Sequence, residues 1–508
     1  MLPKKLFIEI SAGKVKDISP SATTSINIDG ELIEFPDLFI LPSFIESHAH
    51  LIGHGERLIL PDISTVESFE ALIEQARSLN MRKGQWIFLR GWNDTLWHKT
   101  PERPIDTLDA LFPDIPVCFV RVDGHAMMIN SAAVTESGID ISKPVDGGHF
   151  GLDQNGAFTG NVIDNAMQAV YDKIPEYSEE ELIRIINISI HDYFSKGVTE
   201  IHDMDVYLRY IPIYQKLAKE GNLPLQIRSY IRAFDGEYKK LYPRPFQVGN
   251  LNICGLKFYA DGALGSRGAL LIEEYADCPG EKGLQLIDTD VLLAEAREGC
   301  KEGWEIAVHA IGDKAVRNVL DVFEKLREEG YKNIFRIEHS QIVAPLDLIR
   351  YKKLSVIPSV QSIHCTSDSS MASERLGQNM SYAYPWCSFL EKDIEIIAGS
   401  DAPIETNSVI EGINAFVHRE PKNKASFWNF AERISIEDAL IAYSQSPLYG
   451  RSRKKLKTIE DIITLTNSFI IVDNNFADYT SASILGTNII ATVSNGSLVY
   501  SPNQSTIT

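Results

Sequence analysis

Seven short runs of apolar, largely β-branched residues recur along the chain at 198–203, 225–231, 253–259, 305–312, 334–339, 356–361 and 394–401, with helix-patterned stretches between them. An eighth run lies upstream at 39–51. Runs this short and this uniformly apolar suit strands buried on both faces, which occur in parallel sheets covered by helices. Eight such strands alternating with helices predict an α/β chain built as a (β/α)8 TIM barrel. The intervening helices support this. Val316, Val319, Leu320, Phe323 and Leu326 fall on one face of the stretch 313–329, with Asp313 as expected N-cap and Gly330 as its stop. The stretch 289–301 ends similarly at Gly303, and Ser435-Ile-Glu-Asp438 opens a helix after the last strand.

Two regions break the rhythm. Residues 60–180 are far too many for a simple connection, and they contain a helical pattern at 66–81 and strand-like runs at 86–90 and 117–121. They are expected to form an α/β insertion standing over the first strand. Residues 4–38 and 457–500 are both strand-like, and Asn495-Gly496 between apolar runs is a strong hairpin signal. The expected organisation is a small, discontinuous β-sandwich domain from residues 1–40 and 450–508, a barrel domain over 41–449, and the insertion within it.

Composition narrows the function classes. With 49 Lys and Arg against 69 Asp and Glu, the net charge of −20 argues against nucleic-acid binding; the basic run Arg451-Ser-Arg-Lys-Lys-Leu-Lys457 is short and isolated. The six cysteines include no C-x-x-C, as suits reduced thiols and a cytoplasmic protein. No stretch approaches the length of an apolar membrane span. The expected partner is a small molecule, with a homodimer allowed, and neither nucleic acid nor membrane.

The chemistry lies at the ends of the runs. In His48-Ala-His50 both imidazoles project from one face of a strand. Lys257 lies in the fourth run, His309 in the fifth, His339 at the end of the sixth and Asp401 at the end of the eighth. Barrel active sites form at the C-terminal ends of the strands, so these groups are expected to converge on one mouth. Imidazole and carboxylate donors suit one or two zinc ions, with manganese, iron or cobalt fitting the same donors. His48, His50 and Asp401 would hold one ion and His309 and His339 a second, bridged by Lys257. A buried lysine loses its charge readily and can take up CO2 as an anionic lysine carbamate. The plainer reading of Lys257 is an ion-paired lysine beside a single metal.

Taken together, this constellation resembles the amidohydrolase superfamily. The wording around it is similar to amidohydrolase family 3, the branch with YtcJ-like proteins and N-substituted formamide deformylase. The matching stretches include Leu41-Pro-Ser-Phe-Ile-Glu-Ser-His-Ala-His50, Gly91-Trp-Asn-Asp94, Arg121-Val-Asp-Gly-His-Ala126, Gly255-Leu-Lys-Phe-Tyr-Ala-Asp-Gly262, Val308-His-Ala-Ile-Gly-Asp313, Arg336-Ile-Glu-His-Ser-Gln341 and Gly399-Ser-Asp-Ala-Pro403. The resemblance implies hydrolysis of a carbon–nitrogen bond other than a peptide bond. Ser43 and Glu46 stand where the family has Gly and Asp, and both are expected to be distant from the ligands. Lys454 to Asn467 replaces a regular family stretch, which puts the regularity of the β domain in doubt.

The expected function is therefore a metal-dependent amidohydrolase acting on an amide, formamide or cyclic amide through metal-activated hydroxide. Asp401 would serve as general base and then proton donor. Alternatives are a catalytically silent, metal-stabilised small-molecule binder, or a metal-dependent lyase or isomerase. Trp92, Asp123, His125, Gln361 and His364 are candidates for substrate contact, with Trp97 and Asp368 nearby, and Asp261 for orienting a ligand.

Overall fold

The eight runs form one parallel sheet. The computed structural model describes residues 2–79, 83–121, 126–143, 145, 148–233, 236–422, 429–444 and 458–502. Its barrel strands are β1 (Phe44–Ala49), β2 (Val198–Val206), β3 (Gln226–Arg232), β4 (Leu251–Tyr259), β5 (Glu305–Ala310), β6 (Phe335–His339), β7 (Val356–Gln361) and β8 (Ile397–Gly399). They pair in chain order, each parallel to the next. A parallel bridge between Ala49 and Ala402 joins the last strand to the first, with Asp401 N donating to His48 O at 2.7 Å and His50 N to Ala402 O at 2.8 Å. Every residue of β1, β6 and β8 is buried, as expected where helices cover one face and barrel-filling side chains the other.

Gly399 makes that seam possible. A Cβ there would lie 2.4 Å from His48 N and 2.5 Å from Glu46 Oε1, so no larger residue fits without moving β1.

The chain divides into two compact units, Met1–Leu51 with Ile190–Thr508, and Ile52–Ser189. The second unit has a five-stranded sheet in the order Gly148–Leu152, Phe158–Asp164, Ala126–Ile129, Val117–Arg121, Ile87–Trp92. Both of its faces are covered. Val117 and Phe119 join one apolar cluster while Cys118 and Val120 join another, the alternation a strand imposes. In the first unit, the chain ends build two four-stranded sheets. One comprises Leu6–Ser11, Lys14–Pro20, Thr24–Ile28 and Glu31–Phe35, and the other Phe39–Pro42, Phe469–Val472, Ile489–Ser494 and Ser497–Tyr500. Phe39–Pro42 pairs antiparallel with Phe469–Val472, which joins the two ends of the chain. Asn495 and Gly496 form the expected hairpin turn, both with positive φ.

Four expectations are corrected. The run 39–51 is not one strand: Phe39–Pro42 belongs to the small sheet, β1 starts at Phe44, and Leu51 opens a helix. The helix expected over 66–81 is confined to Phe69–Arg77, with Ser68 as its N-cap. The stretch after 457 begins with a helix, Ile459–Thr466, closed by a capping box between Thr458 and Asp461. Gly312, not Asp313, occupies the N-cap position of the helix Asp313–Glu328 in extended backbone, and a Cβ there would meet Leu270 O at 2.0 Å. Asp313 instead sits in the first turn, a favourable place for a carboxylate, and accepts from Ile272 N at 2.9 Å. The basic run Arg451 to Lys457 lies outside the described residues.

Candidate metal centre

His48 and His50 close the first strand with their Nδ1 atoms already committed. His48 Nδ1 lies 2.6 Å from Glu338 Oε2, and His50 Nδ1 lies 3.0 Å from the Met204 carbonyl. Both Nε2 atoms therefore turn toward one carboxylate oxygen, Asp401 Oδ1, at 3.4 Å and 3.1 Å. His339 completes the group: His48, His339 and Asp401 each offer a ligand atom, and all three atoms lie within 4.8 Å of one another. Two of these residues reach the site through left-handed backbone, His339 at φ 71° and Asp401 at φ 63°. Such conformations cost about 1–3 kcal/mol each in non-glycine residues and cluster at functional sites. Consecutive strand residues project to opposite faces, yet Glu338 and His339 both reach His48; the left-handed turn at His339 reconciles them.

His309 on β5 packs edge-on against His339, ring centroids 4.4 Å apart. Lys257 on β4 is buried, with Nζ 5.0 Å above the Tyr259 ring, which itself leans on His309. The electrostatics follow from burial. Desolvation pulls the Lys257 ammonium below its ordinary range, against the pull of Glu338, Asp401 and Asp205. It also lowers His309 to about 3, aided by Lys257, and holds His339 well below the usual imidazole range, aided by His309. Burial opposes the charge on Asp401, but His48 and His50 override it and keep the carboxyl well below its ordinary value. His309 and His339 are thus held neutral beside an ionised Asp401, which in turn raises His50 against its burial. His309 Nε2 and His339 Nδ1 are buried with no hydrogen-bond partner among the described residues. That donor set fits a divalent cation.

The surrounding residues hold the ligands' backbone. Asp261 accepts from Leu270 N, Ile311 N and Gly312 N at 2.8–3.0 Å, pinning the segment after β4 to the end of β5, and approaches His309 Nε2 to 3.5 Å. Asp203 takes Leu51 N at 2.9 Å and the Tyr214 hydroxyl at 2.8 Å, tying β2 to the end of β1. Glu46 is not distant from the ligands: its Oε1 accepts from His48 N at 3.1 Å and Ser400 N at 2.8 Å, bracing β1 against β8. Burial raises its pKa to about 7.

Sequence reasoning passed over three buried groups on the barrel axis. Arg336 and Glu338 stand two apart on β6 and form an ion pair with no exposure to solvent. Arg336 Nη1 also reaches His202 Nδ1 at 3.0 Å. Charged residues at alternate positions of an otherwise apolar run were the available signal.

The candidate substrate contacts divide. His364, on the helix Ser362–Leu376, places Nε2 3.8 Å from Asp401 Oδ2 and stacks parallel to His339. Gln361, at the end of β7, has a buried Oε1 with no hydrogen-bond partner among the described residues. Asp368 accepts from the Tyr384 hydroxyl at 2.9 Å. Trp92 is buried within the unit Ile52–Ser189, stacked on Trp97 and donating to Phe119 O. Asp123 and His125 lie outside the described residues.

Comparison with known proteins agrees with this geometry. The sequence profile of the Amidohydrolase family matches residues 36–500. YtcJ of Bacillus subtilis (strain 168), which carries the name amidohydrolase, is 30% identical over 92% of this chain and 90% of its own. The N-substituted formamide deformylase of Arthrobacter pascens is 22% identical over 93% of this chain and 90% of its own. Among solved structures, an uncharacterized metal-dependent hydrolase from Pyrococcus horikoshii OT3 superposes with a TM-score of 0.76 at 25% identity, covering 94% of this chain and 99% of that one. A closed parallel barrel, with imidazoles and a carboxylate gathered at its strand ends, is here joined to a profile match spanning nearly the whole chain, and the protein belongs to the amidohydrolase family.

Proposed function

We propose that this hydrolase cleaves a carbon–nitrogen bond other than a peptide bond in a small molecule: an amide, a formamide or a cyclic amide. The observation that carries the reading is the buried group His48, His339 and Asp401, whose ligand atoms converge within 4.8 Å beside His50 and His309. The formamide deformylase relative supports the bond type.

His48, His50, His309, His339 and Asp401 would hold one or two divalent ions, zinc foremost by donor type. Lys257, buried and with its pKa depressed, would carry a carbamate that adds an anionic oxygen donor to this set. A divalent cation supplies, when bound, a water that ionises near neutral pH and a pull on the substrate carbonyl. Asp401, whose Oδ1 faces both Nε2 atoms, would be the base that accepts a proton from the attacking water and the acid that returns it to the departing nitrogen. Gln361 Oε1 and His364 Nε2, without hydrogen-bond partners among the described residues, hold the substrate's polar groups. All six cysteines are free, which supports a reducing compartment such as the cytoplasm.

The test is elemental analysis of the purified protein, followed by a turnover screen of formamides, acyl amines and cyclic amides. Bound metal with turnover in one class is the expected result. Metal without turnover in any class would replace the hydrolase by a small-molecule binder. Metal-free protein reloaded in bicarbonate-free buffer should retain less metal than protein reloaded with bicarbonate, and equal retention would remove the carbamate.

A further inference from the structure

Of the two histidines at the end of β1, His50 gives its Nδ1–H to a neutral backbone carbonyl, whereas His48 faces a carboxylate. Glu338 Oε2 stands 2.6 Å from His48 Nδ1, and both side chains are fully buried. Glu338 is itself fixed from behind. Arg336 grips it with Nε and Nη2; Nη2 also reaches Ser47 O at 2.7 Å and Ser359 Oγ at 3.0 Å, and Nη1 reaches His202 Nδ1 at 3.0 Å and the Tyr230 hydroxyl at 3.3 Å. These contacts reach β1, β2, β3, β6 and β7, so the guanidinium is anchored across most of the barrel's width. A carboxylate can only accept from His48 Nδ1, which fixes the proton there and leaves the Nε2 lone pair facing Asp401 Oδ1.

We propose that Glu338 is a positioning residue, held by Arg336, that sets the tautomer and ring orientation of His48 and makes its Nε2 a stronger donor to a divalent cation. The pairing also makes these two histidines unequal ligands, since only His48 is backed by an anion. Outer partners of this kind typically govern metal affinity by about 10–100-fold. The inference rests on the proposed cation site.

The experiment titrates Co2+ into metal-free full-length protein and follows heat and the visible absorption of the ion. Wild type is compared with Glu338→Gln and with Tyr230→Phe, which removes a different contact of Arg336 and touches no ligand. Glu338→Gln should bind Co2+ about 10–100-fold more weakly with a shifted visible spectrum, while Tyr230→Phe binds as wild type does. If Glu338→Gln does not fold, the double variant Arg336→Met with Glu338→Gln, which removes both buried charges, is read in the same way. Wild-type affinity and spectrum in the folded Glu338 variant overturn the proposal, as does equal weakening by Tyr230→Phe. If wild type itself takes up no Co2+, the cation site falls, and this inference with it.

Discussion

Asp401 is the only carboxylate within hydrogen-bonding reach of His50 Nε2 among the described residues, and its oxygens also face His48 and His364. Asp401→Asn should lower turnover at least 10²–10⁴-fold, roughly the contribution of a placed acid–base group, with an unchanged circular dichroism spectrum. Near-normal turnover would take Asp401 out of the chemistry. His202 offers a separate test on the barrel axis. Burial lowers its pKa to about 4, aided by Arg336, whereas the unfolded chain titrates near the ordinary 6.5. Below pH 6.5 the unfolded chain therefore binds a proton that the folded chain refuses, and stability falls until pH 4. The loss is roughly 3 kcal/mol, from about 1.4 kcal/mol per pH unit. In urea denaturation at fixed metal content, His202→Gln should lessen this acid dependence by about one proton; an unchanged slope would count against it. At this scale the candidate ligand histidines were legible because His48 and His50 stand two apart, His309 lies in an apolar run and His339 closes one. Glu338 and Arg336 were not, because their partners come from strands far apart in the chain.

The eight barrel strands could be read because each is short, largely buried and sets apolar residues between its polar ones. Their edges were less legible. Nothing in the apolar composition of 39–51 marks the change from small sheet to barrel at Ser43, where the hydroxyl meets Thr199 Oγ1 at 2.7 Å. The helix Ile459–Thr466 reads as strand by its isoleucines and threonines, and only the Thr458 and Asp461 cap betrays it. Gly399 is the sharpest prediction among the elements. Gly399→Ala should push β1 from β8, lowering stability by about 1–3 kcal/mol and weakening metal retention together. A variant that loses stability alone would show that the seam and the ligands are independent.

Across the whole chain, a cation bound to the folded protein alone should stabilise it by mass action. At a free metal concentration a thousandfold above Kd the gain is about 4 kcal/mol, seen in calorimetry as a higher midpoint that chelation abolishes. A midpoint indifferent to chelation would argue against a metal centre in the folded chain. The join between Phe39–Pro42 and Phe469–Val472 carries a further consequence. Only Ser43 separates that ribbon from β1, so Phe469–Val472 grips the stem on which His48 and His50 are mounted. Trimming the tail ahead of residue 468 would strip the stem of its antiparallel neighbour, and damage more than four hundred positions downstream would be felt first at the two imidazoles.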